Sequence, residues 1–161
     1  MLLHLGEWLE HNSWIVAINS SVVLSAILEV AHYAGFFLLV GSIAIVDLRV
    51  LGVAARRQTA TSVAEQLFPW MWTGFASAFL SGFIMFAGDA TDFSGAWIFC
   101  VKMLVVLLAL AAGIVVQRSV PKWDRAPSMP ISARLMAFVS LALWIGAILI
   151  AVEVPAISGV G

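Results

Sequence analysis

Residues Leu24 to Leu51 read LSAILEVAHYAGFFLLVGSIAIVDLRVL, an apolar run long enough to cross a bilayer. A spanning helix needs about 20 such residues. The run nevertheless carries Glu29, His32 and Tyr33 near one end, and Asp47 and Arg49 near the other. Ionisable groups are costly inside hydrocarbon and by default mark a site, a partner or a pathway. What meets this helix at Glu29 and His32 therefore decides what the chain can do.

Composition allows few alternatives to a membrane protein. Only 11% of the 161 residues are charged and 63% are hydrophobic, whereas a soluble domain carries about 25% charged residues. So few polar groups cannot cover a water-facing surface. The chain reads as one all-α integral membrane domain over residues 1–161, a four-helix transmembrane bundle with a short amphipathic N-terminal interfacial helix. A net charge of −1 provides no basic field for nucleic acid. Cys100 is the single cysteine, so neither an intrachain disulfide nor a CxxC site is available.

The elements follow in order. Residues 2–20 alternate apolar and polar positions at helical spacing, and they lack the basic stretch of a signal peptide. They are predicted to lie in the interface, anchored by Trp8 and Trp14. Spans are predicted at about 22–53, 67–88, 96–117 and 131–154. Pro69 is expected in the first turn of the second span, where its missing N–H costs nothing. Small residues at four-residue spacing, Gly74-Ala78-Gly82 and Ser77-Ser81, predict a packing face there.

Charge asymmetry orients the bundle. Arg56 and Arg57 follow the first span, and Arg118, Lys122, Arg125 and Arg134 surround the connection after the third. Asp89, Asp92 and Glu153 fall on the other side, which has no Lys or Arg outside the spans. The positive-inside rule makes the basic side cytoplasmic. The expectation is a multi-pass protein of a bacterial inner membrane with both termini periplasmic.

Depth then gathers the polar groups. Glu29 and His32 lie roughly 8–12 Å below the outer end of the first span, and Lys102 roughly 9 Å into the third. Glu153 ends the fourth span on the same side. Three readings of this layer stand open. In the first, Glu29 and Lys102 form a structural ion pair and His32 is a satisfied core histidine. In the second, His32 is the axial ligand of a haem b, Lys102 binds a propionate and Glu29 orients the imidazole. The second axial ligand is then open among His4, His11, Met85 and Met103, or is absent. In the third, His4, His11, His32 and methionines such as Met85 hold copper. A di-iron site is excluded because Glu29-x-x-His32 has no second such pair. Asp47 and Arg49 are assigned to the cytoplasmic boundary, each pairing with another helix or a headgroup. Trp97 and Trp144 are candidates to line a cofactor.

Three segments carry a family resemblance: EVAHYAGFFLLVGSIAIVDLRVLG, FPWMWTGFASAFLSGFIMF and WIFCVKMLVVLLALAAGIVVQR. They resemble a family of small bacterial four-helix inner-membrane proteins over nearly the whole chain. More distantly, a His-bearing span followed by a Ser/Thr-Gly span and a span with an embedded Lys is similar to copper-resistance D membrane domains and to HemJ-type protoporphyrinogen oxidases. The resemblance implies that His32 and Lys102 match those families' functional His and Lys, and it points to haem or porphyrin. DLR stands where the HemJ-type proteins have a proline-arginine segment, and the further His of that family is absent, so the oxidase activity is not expected. The leading expectation is a haem b-binding electron-transfer subunit with its site in the periplasmic half, beside a quinone or a larger redox membrane complex. The alternatives are a cofactor-free structural or assembly subunit and a copper-handling permease-like protein.

Overall fold

The computed structural model describes residues 11–88, 90 and 97–158, with the backbone alone for Asn19 and for 152–158. The predicted interfacial segment before His11, the acidic turn with Asp89 and Asp92, and the Glu153 side chain lie outside the described residues. A short helix α1 (Ser13–Asn19) leads into four long ones, α2 (Val22–Val50), α3 (Ala60–Gly88), α4 (Trp97–Trp123) and α5 (Ile131–Ser158). All four long helices are apolar enough to cross a membrane. Their broad exposed faces carry side chains such as Phe37, Phe79, Leu107 and Leu149, each more than half exposed, as lipid-facing surfaces do. The chain is a helical multi-pass membrane protein.

Between lipid-covered helices there is little hydrophobic driving force, so association depends on close contact and on hydrogen bonds. Helices α2 and α3 achieve this most fully. A Cβ on Gly74 would sit 2.5 Å from Leu39 N and 2.6 Å from Gly35 O. One on Gly35 would sit 2.7 Å from Ala78 N. These obstacles are main chain and cannot swing aside. The two backbones therefore touch because neither position carries a side chain. α4 and α5 form the second close pair, and α2 meets α5 across the middle.

Two apolar clusters join all four long helices. One unites Val50, Val63, Val120 and Ala137 at the end where the arginines lie. The other unites Leu39, Met71, Ala109 and Trp144 at mid-height. Beyond them the packing thins. No residue of α2 from Val22 to Ala34, and none of α4 from Trp97 to Leu108, is fully buried. The helix pairs are thus closed at the arginine end and looser at the other.

Several boundaries move from the expected positions for local reasons. α2 stops at Val50 because Gly52 takes the left-handed conformation (φ 78°). Gly52 N–H then donates to Arg49 O and Val53 N–H to Leu48 O, satisfying the last carbonyls as a glycine C-cap does. α3 begins at Ala60, well before the expected Leu67, because its first turn is doubly capped. Thr59 Oγ1 accepts from Ser62 N–H at 3.1 Å. Asp124, from beyond α4, accepts from both Thr61 N–H and Thr61 Oγ1 at 2.7 Å. Pro69 accordingly sits inside the helix, and Thr73 Oγ1 donates to its carbonyl at 2.8 Å. α4 runs on through Pro121 to Trp123, which brings Asp124 to that cap.

Burial opposes ionisation of Asp124, but the Thr61 and Ala60 hydrogen bonds and the nearby Arg49 outweigh it and hold its carboxyl below the usual value. A carboxyl depressed in the folded state adds stability above its unfolded pKa and loses it as pH falls through the folded pKa. Asp124→Asn should cost about 1 kcal/mol, in the range of a lost cap. It should also flatten the acid limb of a thermal-midpoint profile. Gly74→Val should lower the midpoint by about 1–3 kcal/mol equivalent. Gly41→Ala, with nothing within 4 Å of the added carbon, should leave it nearly unchanged. Thermal unfolding in detergent measures all three.

Candidate functional site

His32 sits on the flank of α2 that meets α3, in the looser half. Its ring lies against Gly82, where an added Cβ would come within 2.8 Å of Cε1 and 2.9 Å of Nδ1. Nδ1 is 2.9 Å from Ala78 O. A carbonyl only accepts, so Nδ1 carries the proton and donates. Ser81 Oγ lies 3.4 Å from the same nitrogen and itself donates to Ser77 O at 2.6 Å. Ser77 Oγ returns a bond across the seam to Ala31 O at 3.0 Å. The imidazole is held in one orientation and one tautomer by α3.

That arrangement leaves Nε2 with its lone pair free. No hydrogen bond to it is formed among the described residues. Lys102 of α4 lies close enough for its charge to act on the ring, and it is half-buried. Phe86 and Phe99 stack at 5.3 Å and close the gap between α3 and α4 just beyond. His32 and Lys102 therefore do share a layer, as their depths predict.

Glu29 does not join them. It is exposed on the outer face of α2, as Val30 and Tyr33 are, and makes no hydrogen bond or ion pair among the described residues. The role of orienting the imidazole falls to the Ala78 carbonyl. Met85 is half-buried one turn beyond Ser81 on α3, whereas Met103 is exposed. His11 is exposed, and His4 lies outside the described residues. Among the described residues no three His, Cys, Asp or Glu side chains gather to hold a metal ion. Trp97 is exposed. Trp144 is buried at mid-height with its ring edge-on to Phe36 at 6.0 Å.

Asp47 departs furthest from its expected place. It is not at a headgroup boundary but fully buried, and neither carboxyl oxygen has a partner. The signal was present in the sequence. Asp47 falls on the inward stripe Leu39-Ile43-Val46-Val50, at spacings of three and four. Arg49, two positions on, points elsewhere and donates through Nε to Gln58 O.

These features define a multi-pass helical membrane protein with one oriented histidine between a tight helix pair and a third helix. Compared with known proteins, no family model, curated protein or solved structure matches the chain. His32→Ala removes the Nδ1–H bond to the Ala78 carbonyl and should cost about 1 kcal/mol, the net worth of one hydrogen bond. Glu29→Gln should change stability by less than about 0.5 kcal/mol, as a partnerless surface group does. Thermal midpoints of the two variants check the contrast.

Proposed function

We propose that this chain is a haem b-binding redox subunit of a bacterial inner membrane, with His32 as axial ligand. The observation that carries the reading is the Nδ1–H donation to Ala78 O. A metal-bound imidazole commonly donates its other N–H to a carbonyl or carboxylate, which fixes its tautomer and raises its basicity. Here that carbonyl is supplied and Nε2 is left bare. Between the Phe86–Phe99 stack and Ala109 no residue of α4 is fully buried, and this is the side on which a planar group would stand, since the backbone contact of α2 and α3 closes the other.

When bound, haem supplies one-electron exchange. The chain's own residues do the rest. His32 binds and orients through Nε2, and Gly82 gives the ring its floor. The Lys102 ammonium balances a propionate. His32 is the one histidine of the described spans, and Met85 of α3 would be a second candidate to hold the group. Arg49, Arg56, Arg57, Arg118, Lys122, Arg125 and Arg134 cluster at the opposite end of the bundle, which the positive-inside rule makes cytoplasmic. The site then opens in the periplasmic half, and both termini lie on that side. Its electron partner is a quinone or a larger membrane complex.

A second reading has one observation in its favour. A histidine already bonded to Ala78 and wedged on Gly82 also serves as a strut, which is all that a cofactor-free assembly subunit needs. The visible spectrum of protein purified in mild detergent from haem-replete cells separates the two. Haem binding predicts a Soret band that is lost in His32→Ala and kept in Glu29→Gln. A colourless folded protein, or a band that survives His32→Ala, contradicts it. Copper in the colourless sample by metal analysis would instead favour the copper-handling alternative.

A further inference from the structure

The buried group left unexplained is Asp47. Both carboxyl oxygens are sealed from solvent and carry no hydrogen bond. The Ser140 hydroxyl of α5 faces the carboxyl, yet it too closes no hydrogen bond. Asp47 lines a small cavity between α2, α3 and α4 together with Ser42, Met71, Gly113 and Gln117. The space open to the centre of a water-sized sphere there is about 10 Å³, room for one water-sized occupant. Ser42 Oγ spends its proton on Leu38 O at 2.7 Å, so its lone pairs are available to the cavity. Gln117 is without a hydrogen bond among the described residues and can present its amide oxygen. Pro121, four residues on, has no N–H, so the Gln117 main-chain carbonyl also lacks its usual helical donor.

We infer that this cavity binds one small monovalent cation, of the size of Na⁺, with Asp47 as its counter-charge and oxygens of Ser42 and Gln117 around it. The chemistry selects the class of ligand. A carboxyl that is ionised in this setting needs an opposite charge, and a water supplies none, whereas a protonated one would be indifferent to the cation present. Among the described residues no side chain supplies it either, and Arg49 is engaged with Gln58 O. Oxygen donors favour a hard cation over a transition metal. One carboxylate and space for one water exclude Ca²⁺, which takes six to eight oxygens, and Mg²⁺, which keeps several of its waters. Spanning proteins use non-helical carbonyls and buried carboxylates for such ions. The inference does not depend on haem, because Asp47 lies about 15 residues along α2 from His32, or roughly 22 Å.

Thermal unfolding of the detergent-solubilised full chain tests it, with NaCl replaced stepwise by choline chloride at constant ionic strength. Wild-type protein should gain roughly 5–10 °C in midpoint at Na⁺ a hundredfold above its dissociation constant, saturating as one site does. Asp47→Asn should be insensitive to the exchange. Gln117→Leu should keep the fold and raise the half-saturating concentration about tenfold, the worth of one lost polar contact. If Asp47→Asn fails to fold, radioactive Na⁺ binding to wild-type and Gln117→Leu protein gives the same comparison. Equal midpoints for wild-type protein in Na⁺ and choline would overturn the inference and leave the carboxyl to a proton or a bound water. So would an Asp47→Asn protein that keeps the Na⁺ response.

Discussion

The backbone contact between α2 and α3 is the constraint on which the rest depends. Lipid offers apolar side chains as good an environment as a neighbouring helix does, so these helices cannot be joined by burying leucines. They join where Gly35 and Gly74 let main chain meet main chain. Only at that separation can the His32 ring reach the Ala78 carbonyl and Ser77 reach the Ala31 carbonyl. The oriented imidazole is therefore a consequence of the glycines one turn away and not a separate design.

The second pair, α4 and α5, is tied to the first mainly at the arginine end. Asp124 takes part in this by capping α3 from the far end of α4, so one carboxylate both starts a helix and links the two pairs. The valine and alanine cluster beside it is small-sided and tight. Farther up, Trp144 fills the middle against Phe36 and Leu39. Above that level α2 and α4 separate enough for His32 and Lys102 to remain half-buried. Closure at one end and looseness at the other leave Asp47 sealed and His32 and Lys102 half-buried.

Much of this was legible in the residues. The four spans, the basic end, the small-residue face of α3 and the level shared by His32 and Lys102 all followed from hydropathy, charge and rise per residue. What escaped has physical causes. The start of α3 was hidden because its cap comes from Asp124, 63 residues away. The C-terminus of α2 was marked by Gly52, but an apolar run continuing through Val53 masked it. Glu29 and His32 are three apart, a spacing that puts both near one face of a helix. Only about 60° of circumference separates His32 on the packed seam from Glu29 on the exposed flank, and pattern alone does not resolve that. Asp47 beside Arg49 looked like a boundary pair, although its inward phase with Ile43 and Val50 argued otherwise.

The site turns on which nitrogen of His32 carries the proton. Replacing His4 and His11 by Gln leaves His32 as the single histidine, so ¹⁵N chemical shifts of histidine-labelled protein in lipid report it alone. Donation to the Ala78 carbonyl predicts a protonated Nδ1 and an unprotonated Nε2 in the cofactor-free protein at neutral pH. A ring protonated at Nε2 with a bare Nδ1 would contradict the bond on which the site is built.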